Sequence, residues 1–199
     1  GWALPYGNED ITERAVAAVR DTFEAPEAAV YFVTTGTAAN ALALATITRP
    51  FDAIFCTPDA HIEEDECNAP EFYTGGGKLT LVDSHDALMH TEALKTAIGK
   101  LGSVHGPQPG AVSITQVTER GTLYTLDQIA EIGRIARRAH MPLHMDGARF
   151  ANACSVLGCS AAEMSWKAGV DVVSFGGTKN GLMGVEAVVL FNPEKAWQF

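Results

Sequence analysis

Short apolar segments with the length of β-strands alternate with helical segments along nearly the whole chain. This alternation is typical of a sheet whose strands run parallel, because each parallel strand needs a crossover before the next one. We therefore predict an α/β fold in which helices cover both faces of a mostly parallel sheet. The predicted strands cover residues 29–33, 53–56, 79–82, 111–117, 142–145, 170–175 and 185–191.

Two helices have the clearest signals. Between residues 10 and 23, apolar residues recur at every fourth position from Ile11 onward, which places them on one helical face. The helix predicted over residues 126–140 follows Thr125, a suitable N-cap residue, and carries arginines near its end. Residues 102–110 contain two prolines and are predicted to form a loop. We expect the whole chain to form one domain.

The composition is that of an ordinary globular domain, with 47% hydrophobic and 19% charged residues. A formal net charge of −10, without a cluster of Lys and Arg, argues against a nucleic-acid partner. The longest apolar stretch, near residues 38–47, is far shorter than the roughly 20 residues that span a bilayer, so no membrane partner is expected. The four cysteines form no CxxC pair, and we expect reduced thiols and a cytoplasmic location.

Lys179 is the residue that most strongly suggests chemistry. It follows the apolar run 170–175 and lies among small and hydroxyl residues, in Gly176-Gly177-Thr178-Lys179-Asn180-Gly181. The carboxyl end of a strand is where α/β sheets gather their ligand-binding groups. A lysine partly shielded from water there can attack an aldehyde, which points to pyridoxal phosphate as a cofactor. The alternative is a structural lysine in a plain Rossmann-like protein.

The segment Thr34-Thr35-Gly36-Thr37 follows the first predicted strand and opens an alanine-rich helix. Backbone N–H groups at a helix N-terminus attract an anion, and Gly36 allows the backbone to approach it closely. A hydroxyl of Thr35 or Thr37 can add a hydrogen bond. The pattern predicts a phosphate-binding site, although a threonine N-cap without a ligand explains the same residues.

Asp146 ends another predicted strand and is followed by Gly147-Ala148-Arg149. A carboxylate in this place can keep the pyridine nitrogen of the cofactor protonated, which makes the ring an electron sink. Arg149 can bind a carboxylate through two hydrogen bonds, or reach the ring hydroxyl. The alternatives are an aspartate that caps the next helix and an arginine exposed to solvent.

His61 also follows a predicted strand end, and it can stack on a planar ring or move a proton near neutral pH. The acidic run Glu63-Glu64-Asp65-Glu66 comes next, and a solvated acidic helix start is its simplest explanation. A metal site there is disfavoured because the run has neither an HExxH pattern nor the spacing of a calcium loop, while a monovalent cation stays open. His140 and His144 are separated by Pro142, which argues against a shared helical metal site.

Other cofactor and nucleophile motifs are missing from the sequence. No GxGxxG follows a predicted strand, as a dinucleotide site requires, and Lys179 lacks the flanking residues of a P-loop. Neither Ser155 nor Ser174 lies in a GxSxG elbow.

Four segments occur in an order and spacing that resembles the low-specificity threonine aldolases, within the β-eliminating lyases of the fold-type I pyridoxal-phosphate superfamily. Residues 143–153 and 174–181 are the most specific parts of this resemblance, which covers nearly the whole chain. Tyr6-Gly7-Asn8-Glu9 is similar to the early segment of the family. The four segments are Thr35-Gly36-Thr37, His61, Asp146-Gly147-Ala148-Arg149 and Thr178-Lys179.

The resemblance implies cleavage of L-threonine, or a related β-hydroxy-α-amino acid, to glycine and an aldehyde with pyridoxal phosphate as cofactor. Lys179 would bind the cofactor covalently, Asp146 would pair with its ring nitrogen, and His61 would stack on its ring. Arg149 would contact the ring hydroxyl or the substrate carboxylate. The residues implied to face the phosphate are Gly36, Thr37 and Thr178.

The sequence departs from the family pattern in two places. Many relatives carry a histidine near the substrate where this chain has Thr118-Glu119-Arg120-Gly121. Glu119 and His61 are therefore both candidates for the base that removes the β-hydroxyl proton. Relatives also begin with a further N-terminal segment and continue into a small C-terminal domain that supplies another arginine. By the resemblance, residues 1–199 are the large cofactor-binding domain without these parts.

Cofactor-binding residues identify a scaffold better than they identify a substrate. Another lyase or a racemase on the same scaffold is one alternative function, and a cofactor-binding fragment without activity is another. The family builds its site at a subunit interface, so the resemblance also implies a homodimer or homotetramer.

Overall fold

The computed structural model describes residue 7 and residues 9–199 of the chain. The strands in this part are β1 (Ala29–Val33), β2 (Asp52–Cys56), β3 (Lys78–Leu81), β4 (Ser84–His85), β5 (Leu88–Met89), β6 (Gln108–Thr115), β7 (Leu143–Gly147), β8 (Val172–Gly176) and β9 (Glu186–Leu190). The helices are α1 (Asp10–Thr22), α2 (Gly36–Ile47), α3 (His61–Glu64), α4 (Ala69–Tyr73), α5 (Thr91–Gly99), α6 (Leu126–Arg138), α7 (Phe150–Leu157) and α8 (Ala161–Met164). Short 3-10 turns occupy Trp166–Ala168, Thr178–Asn180 and Pro193–Gln198.

Seven strands form one sheet in the order β1-β9-β8-β7-β6-β2-β3. The strands from β8 to β3 pair in parallel, whereas β9 pairs antiparallel with both of its neighbours, β1 and β8. β1 consequently runs in the same direction as β8, and six strands have their carboxyl ends at one edge of the sheet. The predicted α/β class with a mostly parallel sheet is confirmed, and each predicted strand is present with its ends shifted by at most three residues.

Helices cover both faces of the sheet, as predicted. Neighbouring residues of a strand point to opposite faces. Val173 of β8 therefore packs in the larger core with Ile132 of α6, while Val172 packs on the other face with Ala39 and Ala43 of α2. The small alanine side chains let α2 lie close to the strands, which matters because the first turn of α2 reaches the carboxyl edge of the sheet.

α6 begins where its capping residue predicts. The hydroxyl of Thr125 accepts a hydrogen bond from the N–H of Gln128, whose side chain in turn accepts from the N–H of Thr125. The helix ends at Arg138, two residues before the predicted end, and His140 adopts a positive φ of 57°. The helix therefore ends earlier than the apolar pattern indicates, while β7 begins at Leu143, one residue after its predicted start.

The other expectations for local structure need correction. Ile11 is 74% exposed and no residue of α1 is fully buried, so the predicted apolar face of this helix packs only near its end, before the buried Phe23. The loop predicted over residues 102–110 is wrong in its last three residues, because Gln108 and Pro109 already pair with β2. The hairpin of β4 and β5 was not predicted, since two-residue strands leave no periodic pattern. No helix among the described residues is long and apolar enough to cross a membrane.

Candidate active site

The loops at the carboxyl edge of the sheet bring most of the predicted site residues into one pocket. Parallel strands deliver their carboxyl ends to the same edge, so residues far apart in sequence meet there. The segments involved follow β1, β2, β6, β7 and β8. The residues that line the pocket are Gly36, Asn40, His61, Thr115, Glu119, Asp146, Ala148, Arg149 and Lys179. Thr37 and Thr178, which were also predicted, are outside this lining.

Asp146 lies at the end of β7 and is 5% exposed. Its Oδ1 accepts a hydrogen bond from the N–H of Ala148 at 3.0 Å, and its Oδ2 accepts one from Nδ2 of Asn40 at 2.8 Å. Two donors therefore satisfy part of the carboxylate at a buried position, where an unpaired polar group would be costly. Lone pairs remain on both oxygens, so the carboxylate can accept a further N–H from a ligand.

His61 opens α3 and is held by two acidic residues. Its ring Nδ1 lies 2.8 Å from Oε1 of Glu66, and its backbone N–H donates to Oε1 of Glu119 at 2.8 Å. The His61 side chain is 34% exposed, whereas the Glu66 side chain is completely buried. The ring is thus fixed from one side and accessible from the other.

The expectation that the acidic run is simply solvated is wrong for Glu66. The three acidic residues before it are exposed, but Glu66 turns inward and accepts a hydrogen bond from Nδ2 of Asn40 at 2.8 Å. The chain reverses immediately afterwards, at Cys67 and Asn68, both of which have a positive φ. Burial raises the pKa of Glu66, while the hydrogen bonds from Asn40 and His61 oppose the rise.

Glu119 lies in the loop after β6, at the position where the sequence suggested a base. Its Oε1 accepts a hydrogen bond from the Thr115 hydroxyl at 2.9 Å as well as the one from His61. Its Oε2 is buried and has no hydrogen-bond partner among the described residues. Burial raises the pKa of Glu119 above the usual carboxyl range. A carboxyl with one tethered and one untethered oxygen can exchange a proton with a group that enters the pocket.

Lys179 follows β8 in a short 3-10 turn and is exposed on the pocket side. The turn is fixed by its surroundings. The buried Glu186 accepts a hydrogen bond from the N–H of Gly177 at 2.7 Å, and Nδ2 of Asn180 donates to the carbonyl of Gly176 at 2.9 Å. A side chain on Gly176 would overlap the carbonyl oxygen of Ala148. Gly176 therefore lets the Lys179 turn lie directly against the segment that follows Asp146.

The first turn of α2 points its N–H groups toward the pocket. Thr35 is the N-cap, with its hydroxyl accepting from the N–H of Ala38 at 3.1 Å, so the capping interpretation of this threonine is correct. The N–H groups of Gly36 and Thr37 belong to the first turn, where helical partners are lacking. A methyl group on Gly36 would meet nothing within 4 Å, which indicates open space in front of the helix. Both features suit an anion.

Arg149 and Thr178, which were also predicted as site residues, are less closely integrated into the pocket. Arg149 lines the pocket but is exposed, at the N-cap position of α7. The hydroxyl of Thr178 lies 3.2 Å from the N–H of Val185 and 3.4 Å from its carbonyl oxygen, so it already has local partners. No cluster of three or more metal-binding side chains occurs in the part of the chain that the structure describes.

Beneath the pocket, His144 is buried between two serines. It precedes Asp146 by two residues and so lies on the same face of β7. Its Nδ1 is 2.9 Å from the Ser113 hydroxyl and its Nε2 is 3.0 Å from the Ser174 hydroxyl. Burial lowers its pKa to about 4, so the ring is neutral at neutral pH.

Asn40, Glu66 and Thr115 are polar site residues that the sequence interpretation missed. Asn40 interrupts the apolar stretch 38–47, and a lone polar residue in a buried helix is a usable signal. Glu66 follows three other acidic residues in the sequence, and nothing in that pattern distinguishes it from them.

A family model described as Beta-eliminating lyase matches residues 4–199. The chain belongs to the beta-eliminating lyase family. Tyr6 and Asn8, which resemble the early segment of this family, lie outside the described residues.

Two curated relatives of this beta-eliminating lyase family member carry the same name. The chain is 44% identical over 199 residues to the low specificity L-threonine aldolase of Pseudomonas aeruginosa, and 42% identical over 199 residues to that of Pseudomonas sp.. In each comparison the match covers 100% of this chain and 57% of the relative. A solved structure of Leishmania major threonine aldolase superposes with a TM-score of 0.90 at 28% identity, over 99% of this chain and 58% of that one. The resemblance drawn from the sequence motifs is confirmed.

Proposed function

We propose that the protein is an aldehyde-lyase of the threonine-aldolase type that uses pyridoxal phosphate. Its substrate would be L-threonine or a related β-hydroxy-α-amino acid, and its products glycine and an aldehyde. The observation that carries the proposal is the convergence of Lys179, Asp146 and the N-terminus of α2 on one pocket. An amine, a buried carboxylate and a free helix N-terminus match the aldehyde, ring nitrogen and phosphate of this cofactor.

The residues present fit the cofactor. Open space lies in front of Gly36, and the Asp146 carboxylate is held by two hydrogen bonds with lone pairs to spare. Lys179 would form the covalent attachment and Asp146 would accept the ring N–H. The N–H groups of Gly36 and Thr37 would bind the phosphate, and Thr178 could add its hydroxyl by exchanging its contact with Val185. When bound, pyridoxal phosphate supplies an electron sink for the pair released as the Cα–Cβ bond breaks.

The remaining residues bind the substrate and move protons. Arg149, which is exposed and lines the pocket, would pair with the substrate carboxylate or the ring hydroxyl. His61 would cover the ring, and its free ring nitrogen can accept a proton. Glu119 can take the β-hydroxyl proton through Oε2 when ionised. Both His61 and Glu119 stay candidates for this base.

Two alternatives follow from what the chain contains. The same cofactor residues serve other lyases and racemases, so the substrate depends on groups around the cofactor. The chain spans 57% of the length of the curated relatives it matches, and a cofactor-binding fragment without activity is the second alternative. We further propose a cytoplasmic homodimer or homotetramer. Light scattering of the protein would contradict the assembly if the mass were that of one chain.

Cofactor attachment is the first experiment. Pyridoxal phosphate is added to the purified protein, the visible spectrum is recorded, and the adduct is reduced with borohydride and located by peptide mass mapping. The expected label is on Lys179, and Lys179→Ala should lose it while the exposed Lys195→Ala keeps it. Absence of label on Lys179 in the protein would refute the proposal. Glycine, alanine and aldehyde yields from threonine and phenylserine then separate aldolase from racemase and from other lyases.

A further inference from the structure

A buried chain of hydrogen bonds joins the two residues that would contact the cofactor ring from different sides. Nδ2 of Asn40 donates to Oδ2 of Asp146 at 2.8 Å and to Oε1 of Glu66 at 2.8 Å. The same Oε1 lies 2.8 Å from Nδ1 of His61. Asn40 is 2% exposed and Glu66 is 3% exposed, so water does not compete for these bonds.

The orientation of the Asn40 amide follows from its partners. A carboxylate only accepts hydrogen bonds, and Asn40 faces one on each side. Rotating the amide by 180° would place its oxygen against both carboxylates and leave them without a donor. Oδ1 of Asn40 accordingly has no partner among the described residues. Both amide protons are used, and Asn40 holds two acidic side chains at a fixed separation.

The same reasoning assigns the tautomer of His61. Oε1 of an ionised Glu66 can only accept, so the ring nitrogen beside it carries the proton. In the neutral ring, Nε2 then has a free lone pair. The backbone N–H of His61 donates to Glu119, which fixes the backbone of this residue independently of the ring.

We propose that Asn40 and Glu66 are positioning residues, which fix Asp146 and His61 relative to each other and hold His61 with its proton on Nδ1. The proposal rests on the proposed function in naming what Asp146 and His61 contact. Asn40 acts through Asp146, and Glu66 acts through His61. His61 consequently presents Nε2 as a proton acceptor whether or not a cofactor is bound.

The tautomer can be measured without cofactor, on the full-length protein labelled with ¹⁵N-histidine. Long-range ¹H–¹⁵N spectra distinguish a protonated from an unprotonated ring nitrogen, and the His61 signals are assigned by their loss in His61→Asn. We expect Nδ1 protonated and Nε2 unprotonated at pH 8. Glu66→Gln keeps an acceptor oxygen and should retain this pattern. Glu66→Leu removes the acceptor and should shift the ring toward the Nε2–H form that free histidine prefers.

The control is Glu63→Leu. It removes an exposed carboxylate from α3, the short helix that begins with His61, and should leave the His61 signals unchanged. An Nε2–H ring in the unmodified protein would overturn the proposal, and that measurement needs no variant. A Glu66→Leu spectrum identical to that of the unmodified protein would overturn it as well.

The role of Asn40 is tested by the affinity for pyridoxal phosphate. Losing a hydrogen bond to a charged group should weaken binding about tenfold or more in Asn40→Ala. Thr46→Ala, a polar-to-alanine change at the far end of α2, is the matched control and should bind normally. Unchanged binding in Asn40→Ala would refute its role. If the unmodified protein forms no adduct at Lys179, the proposed function fails, and the His61 tautomer alone decides the present proposal.

Discussion

Glu186 and Gly177 are joined by a hydrogen bond of 2.7 Å, from the backbone N–H of the glycine to Oε2 of the carboxylate. Glu186 is 9% exposed and begins β9, the strand that runs against the others, so its side chain reaches back to the turn that carries Lys179. The position of this lysine therefore depends on a residue seven positions later that does not line the pocket.

Replacing Glu186 should displace Lys179 without removing it. In Glu186→Ala the N–H of Gly177 loses its acceptor inside the protein, at a cost of about 1–3 kcal/mol. We expect a lower free energy of unfolding and a smaller fraction of borohydride-reduced adduct on Lys179. Glu194→Ala, which removes an exposed carboxylate, is the matched control. Full adduct formation in Glu186→Ala would mean that the turn holds its shape without this bond.

Gly176→Ala tests the close approach of two loops. The new methyl group would overlap the carbonyl oxygen of Ala148, which belongs to the backbone and cannot rotate away. Overpacking of this kind costs about 1–3 kcal/mol or more, and here it pushes the Lys179 turn away from Asp146. Denaturant unfolding should report the loss of stability. Gly99→Ala is the control, since its methyl group meets nothing within 4 Å, and it should be neutral or stabilising.

The sequence predicts Lys179 and Asp146 because each lies at the end of a buried strand or within a few residues after it, and strand ends are local features. The same holds for His61 and Gly36. The hydrogen-bond partners of these residues could not be predicted, because Asn40 meets Glu66 across 26 residues and Asp146 across 106. Such contacts are set by the order of strands in the sheet, which the amino-acid pattern of one strand does not encode.

The direction of β9 is a second property that was not predicted from the sequence. The apolar run that becomes β9 looks like the other buried strands, yet β9 is antiparallel to both neighbours. The short connection between β8 and β9 contains Gly181 and Gly184, both with positive φ, and has no room for a crossover helix. Connection length, not strand composition, therefore carried the information on direction.

Glu119→Gln separates proton transfer from cofactor binding. The substitution keeps an oxygen that can accept from Thr115 and from the N–H of His61, but it removes the titrating group. If Glu119 is the base, kcat for threonine should fall by about 10²–10⁴ while the affinity for pyridoxal phosphate changes little. Because burial raises the pKa of Glu119, activity should be lost on the acid side above the usual carboxyl range. An unchanged kcat and pH profile would leave His61 as the base.

The buried His144 should make stability depend on pH in a defined window. Its pKa is lowered from an ordinary 6.5 to about 4, so the unfolded chain binds a proton that the folded protein excludes. As the pH falls from 6.5 toward 4, this histidine should therefore destabilise the folded state, by a total of about 3 kcal/mol. The buried Glu66 and Glu119 have raised pKa values and act in the opposite direction, but equally in a His144 variant.

The free energy of unfolding of His144→Gln should consequently fall less steeply than that of the unmodified protein between these two pH values. His105→Gln, in an exposed loop, is the matched control. If the free energy of unfolding fell equally steeply with pH in His144→Gln and in the unmodified protein, the prediction would be wrong. His144 would then accept a proton in the folded state, while it lies between Ser113 and Ser174.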